Sequence, residues 1–187
     1  MIAIDADYCP LCGAAVDHRR IDGRQRAYCP DCERVLWRNA VPGASVAVVD
    51  IGESHRDSSA SQTQSDDGDG RVCCIRRGQP PAEGSWALPG GHAEYDEALP
   101  VAAARELEEE TGLRVDADTL EIAGTELATG SERNHAIVYF AVPRSETAGS
   151  LDAGTDAAEA GFLTVEEYAE RETVHDPSVL ETAISLL

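Results

Sequence analysis

The sequence predicts an α+β protein with a small cysteine-rich module ahead of its main domain. Apolar stretches of strand length precede and follow a helix-forming stretch at residues 100–111, and a second helix-forming stretch ends the chain. Two closely spaced pairs of cysteines lie within residues 1–38. With 187 residues, 42% of them apolar, the chain has enough material for one main domain with a real core and one small module.

The first module is defined by the segments YCPLC and YCPDC. They place Cys9 and Cys12, then Cys29 and Cys32, in two C-P-x-C pairs separated by sixteen residues. This is the spacing of a zinc ribbon, in which four thiolates surround one structural ion. Two disulfides are the alternative, which the lack of an export signal disfavours. Because so small a ribbon buries little apolar area, we expect structural Zn²⁺ in residues 1–38.

The main domain is expected at residues 39–187 and opens with an apolar strand at 44–51. The polar stretch 52–70 has too few apolar residues to order itself. We therefore expect a disordered insertion at the tip of a hairpin, whose second strand is residues 71–76. Cys73 and Cys74 are adjacent on that strand and face opposite sides, so both are expected to pack as small apolar residues.

The helix at 100–111 has a proline for its first turn and Gly112 for a left-handed C-cap. The later elements are strands at about 120–129 and at 135–142, a short helix capped by Thr164, and a final helix that starts at Asp176-Pro177.

The chain is strongly acidic, with a formal net charge of −20, and all 15 basic residues are arginine. This resembles a protein adapted to concentrated salt, where screening over about 3 Å at 1 M removes most self-repulsion. A broad surface for DNA or for an anionic membrane needs clustered basic residues and is not expected. No signal peptide and no stretch of 18 apolar residues is present, so we expect a cytoplasmic protein.

The central helix crowds its carboxylates. Glu106, Glu109 and Glu110 are related by i, i+3 and i, i+4 and share one face, where each like-charge pair costs about 0.2–0.5 kcal/mol. A divalent cation offsets that cost, and Mg²⁺ prefers such oxygen ligands. The alternative is a solvated acidic face of the kind that an acidic chain carries in many places. Arg105, four residues before Glu109, is placed to hold one of its carboxylates.

The helix lies inside a longer motif. Residues 91–113, GHAEYDEALPVAAARELEEETGL, fit the pattern G-x5-E-x7-R-E-U-x-E-E-x-G-U, where U is a bulky aliphatic residue. This pattern is the Nudix box, which chance would produce on the order of once in 10⁷ windows. The chain is thus identified by resemblance as a member of the Nudix hydrolases. The fixed positions are Gly91, Glu97, Arg105, Glu106, Glu109, Glu110 and Gly112.

The resemblance implies a Nudix fold, an α/β/α sandwich with a mixed sheet, and the hydrolysis of a nucleoside diphosphate linked to another group. It implies that Glu106, Glu109 and Glu110 ligate Mg²⁺ or Mn²⁺, with the Gly90 carbonyl nearby. It further implies that Arg105 orients a glutamate and that Gly91 and Glu97 support the site. The general base varies in the family, so Glu106, Glu159 in the segment 156–168, or neither remains open here.

Residues 8–50 resemble the N-terminal part of zinc-ribbon Nudix proteins such as NADH pyrophosphatases and ADP-ribose pyrophosphatase-like enzymes. That arrangement favours a small nucleotide substrate of dinucleotide type, with ADP-ribose ranked first and NADH and FAD next. Two sequence markers are missing, because no SQPWPFP-like stretch follows the box and Ala128 stands where ADP-ribose hydrolases often carry a proline. Arg77 is a candidate for substrate phosphate, with a surface ion pair as the alternative.

Three other functions remain open at this point. One is a hydrolase of nucleoside triphosphates or RNA caps, and another is a non-catalytic Nudix regulator that senses a nucleotide. The third is a ribbon that recruits protein or RNA, for which four arginines lie between the cysteine pairs. They are Arg19, Arg20, Arg24 and Arg26. Since many Nudix relatives are dimers, the resemblance also implies a homodimer.

Overall fold

A computed structural model describes residues 5–52, 70–130, 132–154 and 156–187. The insertion predicted at 52–70 lies almost wholly outside these residues. The chain divides into two compact units. The first consists of Met1–Val41 together with Leu127–Ala136, and the second consists of Pro42–Glu126 together with Ile137–Leu187.

The first unit is built on a three-stranded antiparallel sheet in the order β1-β2-β3. Its strands are β1 (Asp17–Ile21), β2 (Arg24–Cys29) and β3 (Arg34–Leu36). The turn between β1 and β2 consists of Asp22 and Gly23, whose φ angles are 51° and 77°. An Asp-Gly pair adopts such positive angles readily, and a turn of this kind matches the twist of the strands it joins. The local sequence therefore specifies this hairpin.

A seven-stranded sheet forms the centre of the second unit, in the order β10-β5-β4-β9-β8, with β6 paired to β5 and β7 paired to β4. The strands are β4 (Val41–Asp50), β5 (Arg71–Arg77), β6 (Trp86–Ala87), β7 (Gly90–His92), β8 (Glu121–Thr129), β9 (Asn134–Pro143) and β10 (Ala157–Leu163). The four strands predicted from the sequence are thus present, with bounds close to the predicted ones.

Strand β10, which contains Glu159, was not among the strands predicted from the sequence. The segment AAEAGFL pairs antiparallel with β5, with a shift in register between Ala157 and Glu159. Alanine, glutamate and glycine have low strand propensity, so the segment gives little local signal. Pairing with a buried neighbouring strand, which the sequence does not reveal, supplies the missing preference.

The helices are α1 (Leu99–Thr111), α2 (Val165–Ala169) and α3 (Ser178–Leu186). Helix α1 ends on Gly112 with φ 70°, as predicted. Thr164 caps α2, and its side chain and that of Glu167 bond each other's backbone N–H groups. Helix α3 begins later than predicted, with Pro177 as its cap residue and the Asp176 carboxylate accepting from the Ser178 N–H. Within the described parts of the chain, every helix is too short or too polar to span a membrane.

Apolar side chains cover both faces of the large sheet. Along β4, Val46 and Val48 pack in the cluster that contains Leu107 of α1, whereas Val49 packs in the cluster that contains Leu180 of α3. Cys73 and Cys74 divide between the same two clusters, as their adjacency on a strand predicts, and both are fully buried. Since helices lie against opposite faces, the second unit is the predicted α/β/α sandwich.

Side-chain hydrogen bonds connect β8 and β9 to His175, which lies shortly before the last helix. The Tyr139 hydroxyl donates to the Glu126 carboxylate and lies 3.0 Å from Nδ1 of His175. His175 is 8% exposed, and its burial lowers its pKa from 6.5 to about 4, against an opposing effect of the Glu126 charge and with a further lowering by Arg77. His175 is therefore neutral in the folded protein at neutral pH.

We expect His175 to make folding sensitive to mild acid. In the unfolded chain it binds a proton below pH 6.5, whereas in the folded chain it does so only near pH 4. The unfolded state thus binds more protons in that window, and stability falls as the pH falls, by about 2 kcal/mol down to about pH 5. Urea unfolding at fixed salt, compared between the parent and His175→Gln, measures this contribution.

The comparison with the variant is needed because carboxyl groups titrate in the same window. Glu110 has a folded pKa raised to about 7, so its titration increases stability as the pH falls and opposes the effect of His175. At each pH, subtracting the free energy of unfolding of His175→Gln from that of the parent removes the contribution of Glu110. Equal pH dependence of the two proteins would show that the pKa of His175 is the same in the folded and unfolded states, which would contradict this prediction.

Candidate active site

Arg105 connects the loop before helix α1 to the carboxylates on that helix. Its Nε and Nη2 donate to the two carboxylate oxygens of Glu97, at 2.9 and 3.0 Å. Its Nη1 donates to Oε1 of Glu106 at 2.9 Å and to Oε2 of Glu109 at 3.3 Å. Paired donors of this kind fix both distance and orientation. Glu97 is also bonded by the Glu94 N–H, so the loop before the helix and the helical carboxylates form one rigid group.

Glu106 lies directly against the backbone of β7. A Cβ atom placed on Gly91 would stand 2.3 Å from Oε1 of Glu106, so any other residue here would displace the Glu106 carboxylate from this position. The glycine at the first fixed position of the motif is therefore a steric requirement of the glutamate. Partial burial raises the pKa of Glu106, while the Arg105 guanidinium opposes that rise. Because Arg105 holds Oε1, the second oxygen of Glu106 remains available to a ligand.

Glu110 is the most buried of the helical carboxylates, with 8% of its surface exposed. Its Oε2 accepts the Gly90 N–H at 2.9 Å, and Gly90 itself lies too close to Ala44 of β4 to carry a side chain. Burial raises the pKa of Glu110 to about 7, against the opposing effect of that hydrogen bond, and the charge of Glu106 raises it further. Negative charge at this position is therefore destabilised.

The loop between β9 and β10 closes on the end of helix α1. The Asp152 N–H donates to the Thr111 carbonyl and the Gly154 N–H to the Glu110 carbonyl, both at 2.9 Å. A Cβ atom on Gly154 would lie 1.8 Å from the Glu109 carbonyl oxygen, so this position also requires glycine. The sequence-based prediction missed Gly154, and a lone glycine in a polar segment gives no signal that a helix end packs on it.

The charges of Asp156 and Arg77 both act on Glu110. Asp156 raises the pKa of Glu110 and Arg77 lowers it. The Nε of Arg77 donates to the Pro81 carbonyl at 2.9 Å, so Arg77 has a backbone partner where the sequence left a surface ion pair open. The side chain of Asp156, which the sequence-based prediction also missed, accepts from Gln79 at 3.0 Å.

Glu159, the other candidate base, forms an ion pair with Arg76 at 3.2 Å across strands β10 and β5. Both side chains are about half exposed. Among the described residues, its hydrogen bonding is to Arg76 and not to the glutamates of α1. The structure therefore brings Arg105, Glu106, Glu109, Glu110, Glu97 and the two glycines together, and it places Glu159 in a separate pair.

The helical carboxylates suit a hard divalent cation. Glu106 and Glu110 are largely buried carboxyl groups with raised pKa values, and Glu109 beside them is 58% exposed. Positive charge relieves the repulsion between these oxygens, and oxygen is the ligand that Mg²⁺ prefers. The oxygens do not converge on one point. In the described ranges, only the four cysteines bring three or more ligand atoms within 4.8 Å of one another.

The cysteines form a second, separate centre in the first unit. The Sγ atoms of Cys9 and Cys32 are 3.9 Å apart, and those of Cys12 and Cys29 are 3.5 Å apart. All four are free thiols, and all four sulfur atoms lie within 4.8 Å of one another. The alternative of two disulfides is therefore not the arrangement that these four residues adopt. Four thiols gathered at this distance have the donor set of a tetrahedral Cys₄ zinc site.

Comparison with known proteins gives relatives for the larger part of the chain. A family model of the NUDIX domain matches residues 63–182. A MutT-like protein of Streptomyces ambofaciens is 35% identical over 105 residues, which are 55% of this chain and 61% of the relative. An ADP-ribose pyrophosphatase of Methanocaldococcus jannaschii is 33% identical over 95 residues, which are 51% of this chain and 55% of the relative. The chain thus spans less than two thirds of either relative's length.

Solved structures share the fold. The NUDIX domain of Shewanella oneidensis NrtR, solved with ADP ribose, has a TM-score of 0.62 at 14% identity and covers 85% of this chain and 93% of its own. A NUDIX hydrolase from Nitrosomonas europaea has a TM-score of 0.59 at 21% identity and covers 87% of this chain and 80% of its own. The complete motif, the arrangement of its side chains around Arg105 and the family match show that the chain belongs to the Nudix family.

Proposed function

We propose that the protein is a Nudix hydrolase that cleaves the pyrophosphate bond of a nucleoside diphosphate linked to another group, with ADP-ribose as the preferred substrate. The observation that carries this proposal is the set of three helical carboxylates that Arg105 and the Gly90-Gly91 backbone hold in place. The choice of ADP-ribose is supported by the relative named as an ADP-ribose pyrophosphatase and by the similar domain that was crystallised with ADP ribose.

In this proposal Glu106, Glu109 and Glu110 hold Mg²⁺ or Mn²⁺. The bound ion supplies positive charge against the pyrophosphate oxygens and makes a coordinated water more acidic. Arg105 keeps Glu106 and Glu109 oriented through its bonds at 2.9 and 3.3 Å. Glu97 fixes Arg105 in turn, so the carboxylates are positioned before the substrate arrives. Pre-positioned charge of this kind is the main source of catalysis in phosphate chemistry.

We assign the general base to Glu106. Burial raises its pKa, which makes its carboxylate a better proton acceptor than an exposed one, and its Oε2 is not bonded by Arg105. Glu159 is held in an ion pair with Arg76, which engages its carboxylate across strands β10 and β5. In this assignment Glu106 removes the proton from the water that attacks phosphorus, and Arg105 stabilises the position of its carboxyl group.

Arg77 is proposed to bind a substrate phosphate. Its Nε is fixed by the Pro81 carbonyl, which leaves the two terminal nitrogens of the guanidinium for a bidentate contact with phosphate oxygens. Its charge also lowers the pKa of Glu110, which supports a role for Arg77 at the same site.

The four cysteines are proposed to bind one structural Zn²⁺ in a ribbon of residues 1–38, ahead of a Nudix domain of residues 39–187. The four sulfur atoms within 4.8 Å support this assignment, because thiols gathered so closely repel as thiolates unless a cation holds them. An origin in concentrated salt, a cytoplasmic location and a homodimer stay predictions of the sequence.

The proposed reaction is tested by incubating the protein and Mg²⁺ in molar KCl with ADP-ribose, NADH, FAD and nucleoside triphosphates. Release of AMP from ADP-ribose is the expected result. We expect Glu109→Gln to lower kcat by about 100-fold, because it removes charge from the cation site. Glu108→Gln is the matched control, since Glu108 is 55% exposed and faces Arg114, and its turnover should stay unchanged.

Full turnover by Glu109→Gln would show that the carboxylates do not hold the catalytic cation. Binding of ADP-ribose by the parent protein without any hydrolysis would instead favour the nucleotide-sensing function. Preferred turnover of a triphosphate or a capped RNA would move the substrate assignment to those classes and leave the metal site intact.

A second pair of variants separates the two candidate bases. We expect Glu106→Gln to lower kcat by about 100-fold or more, and Glu159→Gln to change it by less than about five-fold. The exposed pair of Glu159 and Arg76 contributes little stability, so Glu159→Gln should fold as the parent does. Single-turnover rates at saturating Mg²⁺ make the comparison, and a larger loss in Glu159→Gln would reverse the assignment.

The metal of the cysteine centre is measured directly. We expect about one zinc per chain after purification under reducing conditions, and loss of that zinc in Cys12→Ser. Cys73→Ser is the control, because its buried thiol lies in the second unit and should leave the zinc content unchanged. A protein with full structure and no bound metal would contradict the zinc assignment.

A further inference from the structure

The small sheet of the first unit has two different faces. One face carries Cys29 and Leu36, which pack in the cluster of the cysteine centre. The register pairs Tyr28 with Asp17 and Arg26 with Arg19, and these residues alternate with the packed ones, so they lie on the opposite face. We call this opposite side the outer face. The strands place seven residues on it, and Trp37 lies beside them; the seven are Asp17, Arg19, Ile21, Arg24, Arg26, Tyr28 and Val35.

Arginine and aromatic side chains stack on each other across the outer face. The Cζ atom of Arg19 lies 3.7 Å from the centre of the Tyr28 ring, and that of Arg26 lies 4.4 Å from the centre of the Trp37 ring. Stacking of this kind orders a guanidinium and leaves its edge donors free to bind an acceptor. Trp37 remains 42% exposed, so part of its ring is open to solvent.

The charge of the outer face is the reverse of the rest of the molecule. The chain has 35 acidic and 15 basic residues, yet this face carries three arginines and one acidic residue, Asp17, which is paired with Arg19 at 3.1 Å. Within the described ranges Arg24 has no ion-pair or hydrogen-bond partner, and the buried Nε of Arg26 has none either. Among the residues that the structure describes, the guanidinium of Arg24 and the Nε of Arg26 are thus without an anionic partner, although the chain is rich in carboxylates.

We propose that the outer face binds single-stranded nucleic acid. Bases stack on the ring of Trp37 and on Tyr28, against which Arg19 is already stacked. Arg24 and Arg26 donate to the phosphate oxygens that connect these bases. A nucleic acid strand alternates planar π-faces with phosphates, which matches a face that alternates rings with guanidinium groups. An acidic peptide matches the charge alone and leaves the exposed ring of Trp37 without a partner.

The acidity of the chain restricts this binding to the outer face. Elsewhere the molecule repels a polyanion, so the strand is held by contacts within the face and not by long-range attraction. Stacking on a ring acts at contact distance, and concentrated salt screens it far less than it screens the attraction between charges. This activity goes beyond the proposed hydrolysis and needs neither Mg²⁺ nor a pyrophosphate bond.

The test is fluorescence anisotropy of a labelled oligouridylate of about ten nucleotides with a 5′-hydroxyl end, added to the full-length protein without Mg²⁺. The salt concentration is the lowest at which circular dichroism shows a folded protein. Such a probe carries no pyrophosphate, and Glu109→Gln should bind it as the parent does. Binding by both proteins separates this proposal from the hydrolase site, whatever the substrate assay shows.

We expect Trp37→Leu to weaken binding by about ten-fold, because a stacking ring is removed. Arg24→Gln should weaken it by about five-fold and reduce the slope of log affinity against log salt by about 0.7. Arg34→Gln is the matched control, because Arg34 pairs with Cys29 on the other face, is exposed, and loses the same charge. Its affinity should equal that of the parent.

Absence of oligonucleotide binding would overturn the proposal, as would equal losses in Arg24→Gln and Arg34→Gln. Binding of a polyglutamate peptide through Arg24, with no binding of the oligonucleotide, would assign the face to an acidic protein partner and overturn it as well. If Trp37→Leu does not fold, Arg24→Gln still decides, because Arg24 is exposed and its side chain has no partner within the described ranges.

Discussion

The structure of the candidate active site depends on one cation that the chain itself provides, the guanidinium of Arg105. It joins Glu97 in the loop to Glu106 and Glu109 in the helix, at distances between 2.9 and 3.3 Å. Without it, carboxylates within one helical turn repel and splay toward solvent. With it, two of them are fixed and a third, Glu110, is pinned by a backbone N–H, so the helix presents an ordered anionic surface. The arrangement neutralises part of the charge of these carboxylates and leaves the rest on the helix.

Close approach of the backbone is the second constraint, and glycine satisfies it at three places. Gly91 makes room for the Glu106 carboxylate, Gly90 lies against β4, and Gly154 packs on the last turn of α1. In each case a Cβ atom would overlap an oxygen atom. Helix α1 thus packs against β7 on one side and against the loop before β10 on the other. These contacts bury Glu110, and its burial raises its pKa. Burial of this carboxyl group disfavours its charged form.

The two units use charge in opposite ways. The second unit concentrates carboxylates around a helix, which suits a cation and a phosphate substrate bound through it. In the first unit, one side of the small sheet carries the free thiols and the other carries arginines stacked on aromatic rings. In a chain of net charge −20 such a face does not follow from composition, and its side chains have the donors and planar surfaces that bases and phosphates require.

The sequence by itself determined what local spacing controls. The spacing of the motif at residues 91–113 determined which carboxylates share a helical face. The C-P-x-C pairs determined which sulfur atoms meet. The Asp-Gly pair specified the turn between β1 and β2. Adjacent Cys73 and Cys74 had to face opposite sides, because a strand alternates. Tertiary structure alone decided the rest, since it depends on residues distant along the chain. Gly154 and Asp156 act on Glu110 only because the chain folds back, and Glu159 became the partner of Arg76 only because β10 pairs with β5. Contacts of this kind follow from packing between elements, which no periodicity in the sequence records.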